Sequence, residues 1–174
     1  MSRKTDAAEH SIELHLPFVA HCFRGHAIQI VPVMVGALTP DLESSFGELL
    51  APYLDDPENF FVISSDFCHW GARFDYVRYD RAAGDVSASI EALDRMGMAC
   101  IERQDAAAFT AYLQATKNTI CGRHPIGVLL HAMRFTRSKF VTSFTRYAQS
   151  GPISNAQRDT SVSYASATVI PLPE

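Results

Sequence analysis

The sequence lacks any apolar run near the ~18 residues that a bilayer-crossing helix needs, so no membrane span is expected. Its opening, MSRKTDAAEH, has basic side chains but no apolar stretch behind them, so no secretory signal is expected either. It lacks a C-x-x-C pair: Cys22, Cys68, Cys100 and Cys121 are scattered singly, which excludes a zinc-finger spacing and a dense disulfide framework. It also lacks a basic surplus. Fifteen Lys and Arg stand against nineteen Asp and Glu, for a net charge of −4, and no basic stripe offers a phosphate backbone anything to bind. Nucleic acid is therefore not an expected partner. No repeat or low-complexity tract occurs.

What is present is ordinary globular material. The 174 residues are 47% hydrophobic and 20% charged, enough for one domain with a real core. With no secretory signal expected, reduced thiols in the cytoplasm are the expectation. Residues 1–8 read as a flexible lead and 9–174 as one domain. Glu9 to Phe23 carries Ile12, Leu16, Val19 and Phe23 at helical spacing, with Pro17 requiring a kink or a later start and Gly25 a stop. Ile28–Val35 and Phe60–Ser64 are β-branched and apolar, as buried strands are. Between them Thr39-Pro40-Asp41 starts a helix whose Leu42, Phe46, Leu49 and Leu50 are expected to face the core. A strand, a helix and a strand suggest parallel pairing in an α/β sheet. Helices follow over Val86–Glu102, over Ala106–Thr116 behind an Asp105 cap, and from Pro125. Alternation around Phe140–Arg146 and Ser161–Tyr164 gives two closing strands, with a turn at Gly151-Pro152.

Two stretches concentrate chemistry. FFVISSDFCHWG, from Phe60 to Gly71, runs a strand into Asp66, Cys68, His69 and the single Trp70. Strand-end loops carry the sites of open α/β sheets, and a carboxylate beside an imidazole can fix its tautomer. Trp70 could wall a pocket, or the group could be a structural Asp–His pair with a core tryptophan. In TICGRHPIG, Cys121 lies just before a helix start, at the positive end of the helix dipole, with Arg123 and His124 next to it. Such a sulfur is a metal ligand, a nucleophile, or a small hydrophobe beside a helix cap. His10 and His15 are five apart and do not make the H-E-x-x-H pattern.

Taken together, EHSIELHLP, VPVMVGAL, VISSDFCHWG, SIEALDRMGM, TICGRHPIGVLL, RYAQS and SVSYAS resemble the Memo family, named for mediating receptor-tyrosine-kinase-driven cell motility. The motifs run in family order from Glu9 to Ser166. The resemblance implies the fold of class III extradiol dioxygenases (LigB-like), a mixed central sheet flanked by helices. It implies a pocket holding copper or iron through two histidines and one cysteine. That cysteine corresponds to Cys121. His69 corresponds to the pocket histidine that serves as acid and base in the dioxygenases, with Asp66 beside it, and Arg123, His124 and Trp70 are expected to line the pocket. The two ligand histidines belong to family motifs that precede EHSIELHLP. The chain is thus expected to match only about the C-terminal three-fifths of a member, with an incomplete sheet, little or no metal of its own, and self-association through an exposed sheet edge.

The resemblance implies a cytoplasmic signalling and redox protein that contacts receptor phosphopeptides or adaptors; whether this chain alone is an enzyme stays open, with the absence of two of the three expected metal ligands weighing against it. Two alternatives stay open. One is a non-haem dioxygenase-type oxidoreductase, which needs three ligands and an open metal position. The other is a thiol hydrolase using Cys121 with His69 or His124 as base.

Overall fold

The computed structural model describes residues 2–173. They form two compact units, the first ending at Gly36 and the second beginning at Ala37.

In the first unit the opening residues make a short helix, α1 (Arg3–Ala7), with the Ser2 hydroxyl accepting from the Thr5 N–H. The Glu9 carboxylate then caps the next turn, accepting from the N–H groups of Ser11 and Ile12 and from the Ser11 hydroxyl. The serine hydroxyl leads in holding that carboxyl below its usual range. A 3-10 turn (Glu13–His15) runs into α2 (Leu16–Cys22), with Pro17 in its first turn, where its missing N–H costs nothing. Gly25, at φ +85°, follows. No residue of α2 is buried, so Leu16 and Val19 do not seat in a core as their spacing suggested.

The second unit holds the core. Its helices are α3 (Pro40–Leu54), α4 (Val86–Glu102), α5 (Ala106–Thr116) and α6 (Arg123–Phe135). The side chains of Thr39, Asp85 and Asp105 cap α3, α4 and α5 by accepting from the N–H three residues on. Among the described residues the sheet has three strands, β1 (His69–Trp70), β2 (Phe140–Gln149) and β3 (Ser161–Pro171), in the order β1-β3-β2, all antiparallel. Trp70, Ile90, Phe109, Ile120 and Leu130 are large, fully buried side chains of the core between helices and sheet.

Three expectations are corrected. Neither Ile28–Val35 nor Phe60–Ser64 is a strand, and the described sheet has no parallel pair. β-branched composition makes a segment fit for a strand, but a strand exists only where a neighbouring backbone takes up its N–H and C=O groups. In α3 the inward face is Glu43, Gly47 and Ala51, while Leu42, Phe46 and Leu49 are exposed. That face is chosen by close approach to α6. A Cβ on Gly47 would lie 2.6 Å from the His131 Cβ and 2.7 Å from the Ala132 backbone nitrogen. Finally, a bulge between Phe144 and Arg146 inserts one residue and reverses the alternation of β2. Arg146 therefore faces solvent and Tyr147 turns inward, where its hydroxyl reaches Asp94 at 2.9 Å.

Candidate functional site

The segment that carries Asp66 and His69 is fastened from two sides. On one side the Phe67 N–H donates to the Ser163 carbonyl (2.8 Å) and the Ser163 N–H to the Cys68 carbonyl (2.9 Å), joining it to β3. On the other lies the connection between α5 and α6. Ser65 Oγ accepts from the Gly122 N–H at 3.0 Å and donates to the Asp66 carbonyl at 2.7 Å. Gly122 permits this contact, since a Cβ there would strike the Ser65 Cβ and lie 2.5 Å from the Ser64 carbonyl oxygen.

This juxtaposition sets Cys121 against Asp66. The Asp66 N–H donates to Cys121 Sγ at 3.1 Å, and Ser65 Oγ lies 4.0 Å from the same sulfur. Cys121 is an exposed residue. The Asp66 carboxylate is 3.6 Å from His69 Nε2, with the imidazole largely covered and the carboxylate half-exposed. The His69 ring packs edge-on against Phe74, with centroids 5.2 Å apart. Its other nitrogen, Nδ1, is 3.0 Å from the Thr119 carbonyl oxygen. A carbonyl only accepts, so Nδ1 carries the hydrogen and a neutral His69 presents a bare lone pair at Nε2. The tautomer is therefore set by the Thr119 carbonyl. Asp66 faces the opposite nitrogen, where it attracts a protonated ring but receives no hydrogen bond from a neutral one.

The other residues singled out in the sequence are placed elsewhere. Trp70 is 1% exposed, and its indole N–H donates to the Arg78 carbonyl at 2.8 Å, so it belongs to the core and braces the loop to Arg78. Cys68 is fully buried; burial first, and the nearby Asp94 charge second, push its thiol up to about 12. His124 Nδ1 meets Glu43 Oε1 at 2.7 Å, which ties α6 to α3. The Arg123 guanidinium donates to the Ile120 carbonyl at 3.2 Å. Arg123 and His124 line a cavity of about 460 Å³ with Glu43, Lys117 and Thr119; Cys121, Asp66 and His69 do not line it.

Sequence reasoning missed Ser65, Thr119, Asn118 and Glu43. Ser65 stood in the quoted motif, but a serine after a strand-like run reads as a loop residue. Thr119 and Asn118 lie in a connection without periodicity, and only the fold brings them to residue 69. Among the described residues no group of three or more His, Cys, Asp or Glu side chains is placed to hold a metal ion. No helix among them is long and apolar enough to cross a membrane.

Comparison with known proteins accounts for this arrangement of motifs. Residues 1–168 match the Memo-like protein family. Protein MEMO1 of Homo sapiens is 51% identical over 174 residues, covering 97% of this chain and 58% of the human protein. Protein MEMO1 of Xenopus tropicalis is 51% identical over 175 residues, covering 98% of this chain and 59% of its own length. Protein memo-1 homolog of Caenorhabditis elegans is 42% identical over 178 residues, 99% of this chain and 51% of the worm protein. The chain thus spans from about half to three-fifths of the length of these relatives. It is a member of the Memo family.

Proposed function

We propose that the chain is the C-terminal part of a cytoplasmic Memo-type signalling and redox protein with the class III extradiol dioxygenase-like fold, in which Cys121, Asp66 and His69 form one wall of the functional pocket. The observation that carries this reading is the 3.1 Å contact between the Asp66 N–H and Cys121 Sγ, which sets the sulfur beside the Asp66–His69 pair. Cys121 is then one protein ligand for copper or iron, and the other ligands are histidines of the length that relatives have beyond this match. One sulfur with no third ligand gathered near it falls short of the three or four protein ligands that stable sites for these metals take. The described residues alone do not make that centre.

Partner contacts belong to the same reading. Arg123 and Lys117 border the cavity of about 460 Å³, and a guanidinium forks onto phosphate, which suits a receptor phosphopeptide or an adaptor carrying one. Neither alternative gains a specific observation. A thiol hydrolase needs a base bonded to Cys121, but the sulfur's hydrogen-bond partners among the described residues are Ser65 Oγ and the Asp66 backbone, with no imidazole among them. A dioxygenase needs the missing ligands.

The test is competition of Cu(I) or Fe(II) against a chelator. It uses the full-length human relative and its variant at the cysteine equivalent to Cys121, beside this chain and its Cys121→Ser variant. Loss of the thiol is expected to weaken binding by roughly tenfold or more in the full-length protein, and this chain alone is expected to bind weakly. Equal affinity with and without the thiol would refute the assignment of Cys121.

A further inference from the structure

Beneath the candidate site lies a row of buried polar groups. Asp94 on α4 is fully buried. Burial, the leading influence, pushes its carboxyl above the usual range, although the Ser163, Asn118 and Tyr147 side chains and the Cys68 backbone all bond to it. Its Oδ1 accepts from Asn118 Nδ2 at 2.9 Å, and the same amide lies 2.6 Å from the Tyr112 hydroxyl. The other end of that amide, Oδ1, accepts from the Thr119 N–H at 2.7 Å. An acceptor at one end and a donor at the other leave Asn118 a single orientation. Thr119 in turn touches residue 69 at three polar atoms. Its hydroxyl accepts from the His69 N–H at 2.7 Å and donates to the His69 carbonyl at 2.9 Å, and its own carbonyl takes His69 Nδ1.

We propose that Asn118 is a positioning residue for His69: anchored on the Asp94 carboxylate, it holds Thr119 where its hydroxyl clamps the His69 backbone and its carbonyl fixes the Nδ1–H tautomer, leaving Nε2 as the lone pair offered to the site. The assignment of His69 to a functional pocket is taken from the proposed function, while the tautomer itself depends on neither metal nor Cys121. Two facts set this apart from ordinary packing. The clamp addresses both backbone groups and one ring nitrogen of a single residue, and the row ends on a buried carboxylate, the acceptor that keeps the Asn118 NH2 turned away from Thr119. Which nitrogen of an imidazole carries the hydrogen is commonly set by such a partner, leaving the other nitrogen as the lone pair.

The experiment is a long-range 1H–15N correlation spectrum of the full, metal-free chain at about pH 7.5, with His69 assigned by its loss in His69→Gln, since each imidazole tautomer has its own pattern. The wild type is expected to show the Nδ1–H form. Asn118→Ala and Thr119→Val are each expected to lower the ratio of Nδ1–H to Nε2–H by roughly fivefold or more, the factor a lost hydrogen bond gives. Thr119→Ser, which keeps the hydroxyl, and Cys121→Ser are expected to match wild type. Thr119→Val preserves shape and the Asp94 contact, so it serves where Asn118→Ala does not melt cooperatively. A wild-type Nε2–H form, or unchanged ratios in Thr119→Val or in an Asn118→Ala variant that melts cooperatively, would overturn the proposal. If metal competition shows no dependence on the cysteine while these ratios shift, the metal reading fails and the positioning role stands.

Discussion

Gly122 is the residue at which the site is most exposed to a single atom. The chain at Ser64 and Ser65 crosses it so closely that an added methyl group has no free volume, and part of what it meets is backbone, which cannot rotate away. Gly122→Ala must therefore push the Asp66 segment off the α6 start. This breaks the Gly122 N–H to Ser65 contact and opens the Asp66 to Cys121 contact together. Overpacking of this kind costs about 1–3 kcal/mol, which for a chain of this size lowers the melting temperature by roughly 2–12 °C. Calorimetry of Gly122→Ala and of Gly151→Ala checks this. Gly151 has open space where a Cβ would go and is expected to stay within about 2 °C of wild type. Trp70 gives the residue-scale lesson in reverse. Its place beside Asp66 and His69 in the sequence suggested a pocket wall, yet a side chain that large satisfies its N–H on Arg78 and spends its surface in the core.

At the scale of elements, the α3–α6 pair joins packing to pH. Gly47 lets α6 come close, and His131 fills the contact with its Nδ1 making no hydrogen bond among the described residues. Burial first, and the Arg134 charge second, lower the His131 pKa, while Glu43 opposes them. The sign follows from linkage. The unfolded chain takes up this proton in the ordinary imidazole range, while the folded protein resists it until a lower pH. The stability tied to neutral His131 is thus complete above the ordinary range and is lost as pH falls through it toward the folded value. Urea midpoints are expected to drop between about pH 7.5 and 5.5, and to drop less in His131→Leu. His124 and Glu43 lie on the same pair of helices, so the comparison must be made between variants at each pH. An unchanged slope in His131→Leu would refute the assignment to His131. In β2 the bulge settles which side chain joins the Asp94 cluster, a choice that strict alternation would have given to Arg146.

Across the whole molecule the main physical feature is apolar surface left in water. Leu42, Phe46, Leu49 and Tyr53 recur along one side of α3 and are all at least 43% exposed. The β2 edge is better guarded, because the Glu102 carboxylate accepts the Phe144 N–H and the Gln104 amide donates to the Phe140 carbonyl. Self-association of the isolated chain is therefore expected through the α3 face more than through a sheet edge. Light scattering should give a mass above 19.2 kDa that rises with concentration. The double change Phe46→Lys, Leu49→Lys should return it toward the monomer; a wild type that stays monomeric at high concentration would refute this.

The sequence by itself determined the local elements. Cap residues, first-turn prolines and helical spacing marked α3, α4, α5 and α6, and alternation marked β2 and β3, because helices and hairpin-like strands are encoded within a few residues of themselves. It also determined the family, through motifs whose order needs no coordinates. Only the tertiary structure decided which face of α3 is inside, whether the apolar segments 28–35 and 60–64 become strands, and that Thr119 holds His69. Each of those depends on a backbone or side chain far along the chain, and no local pattern carries the position of a distant neighbour.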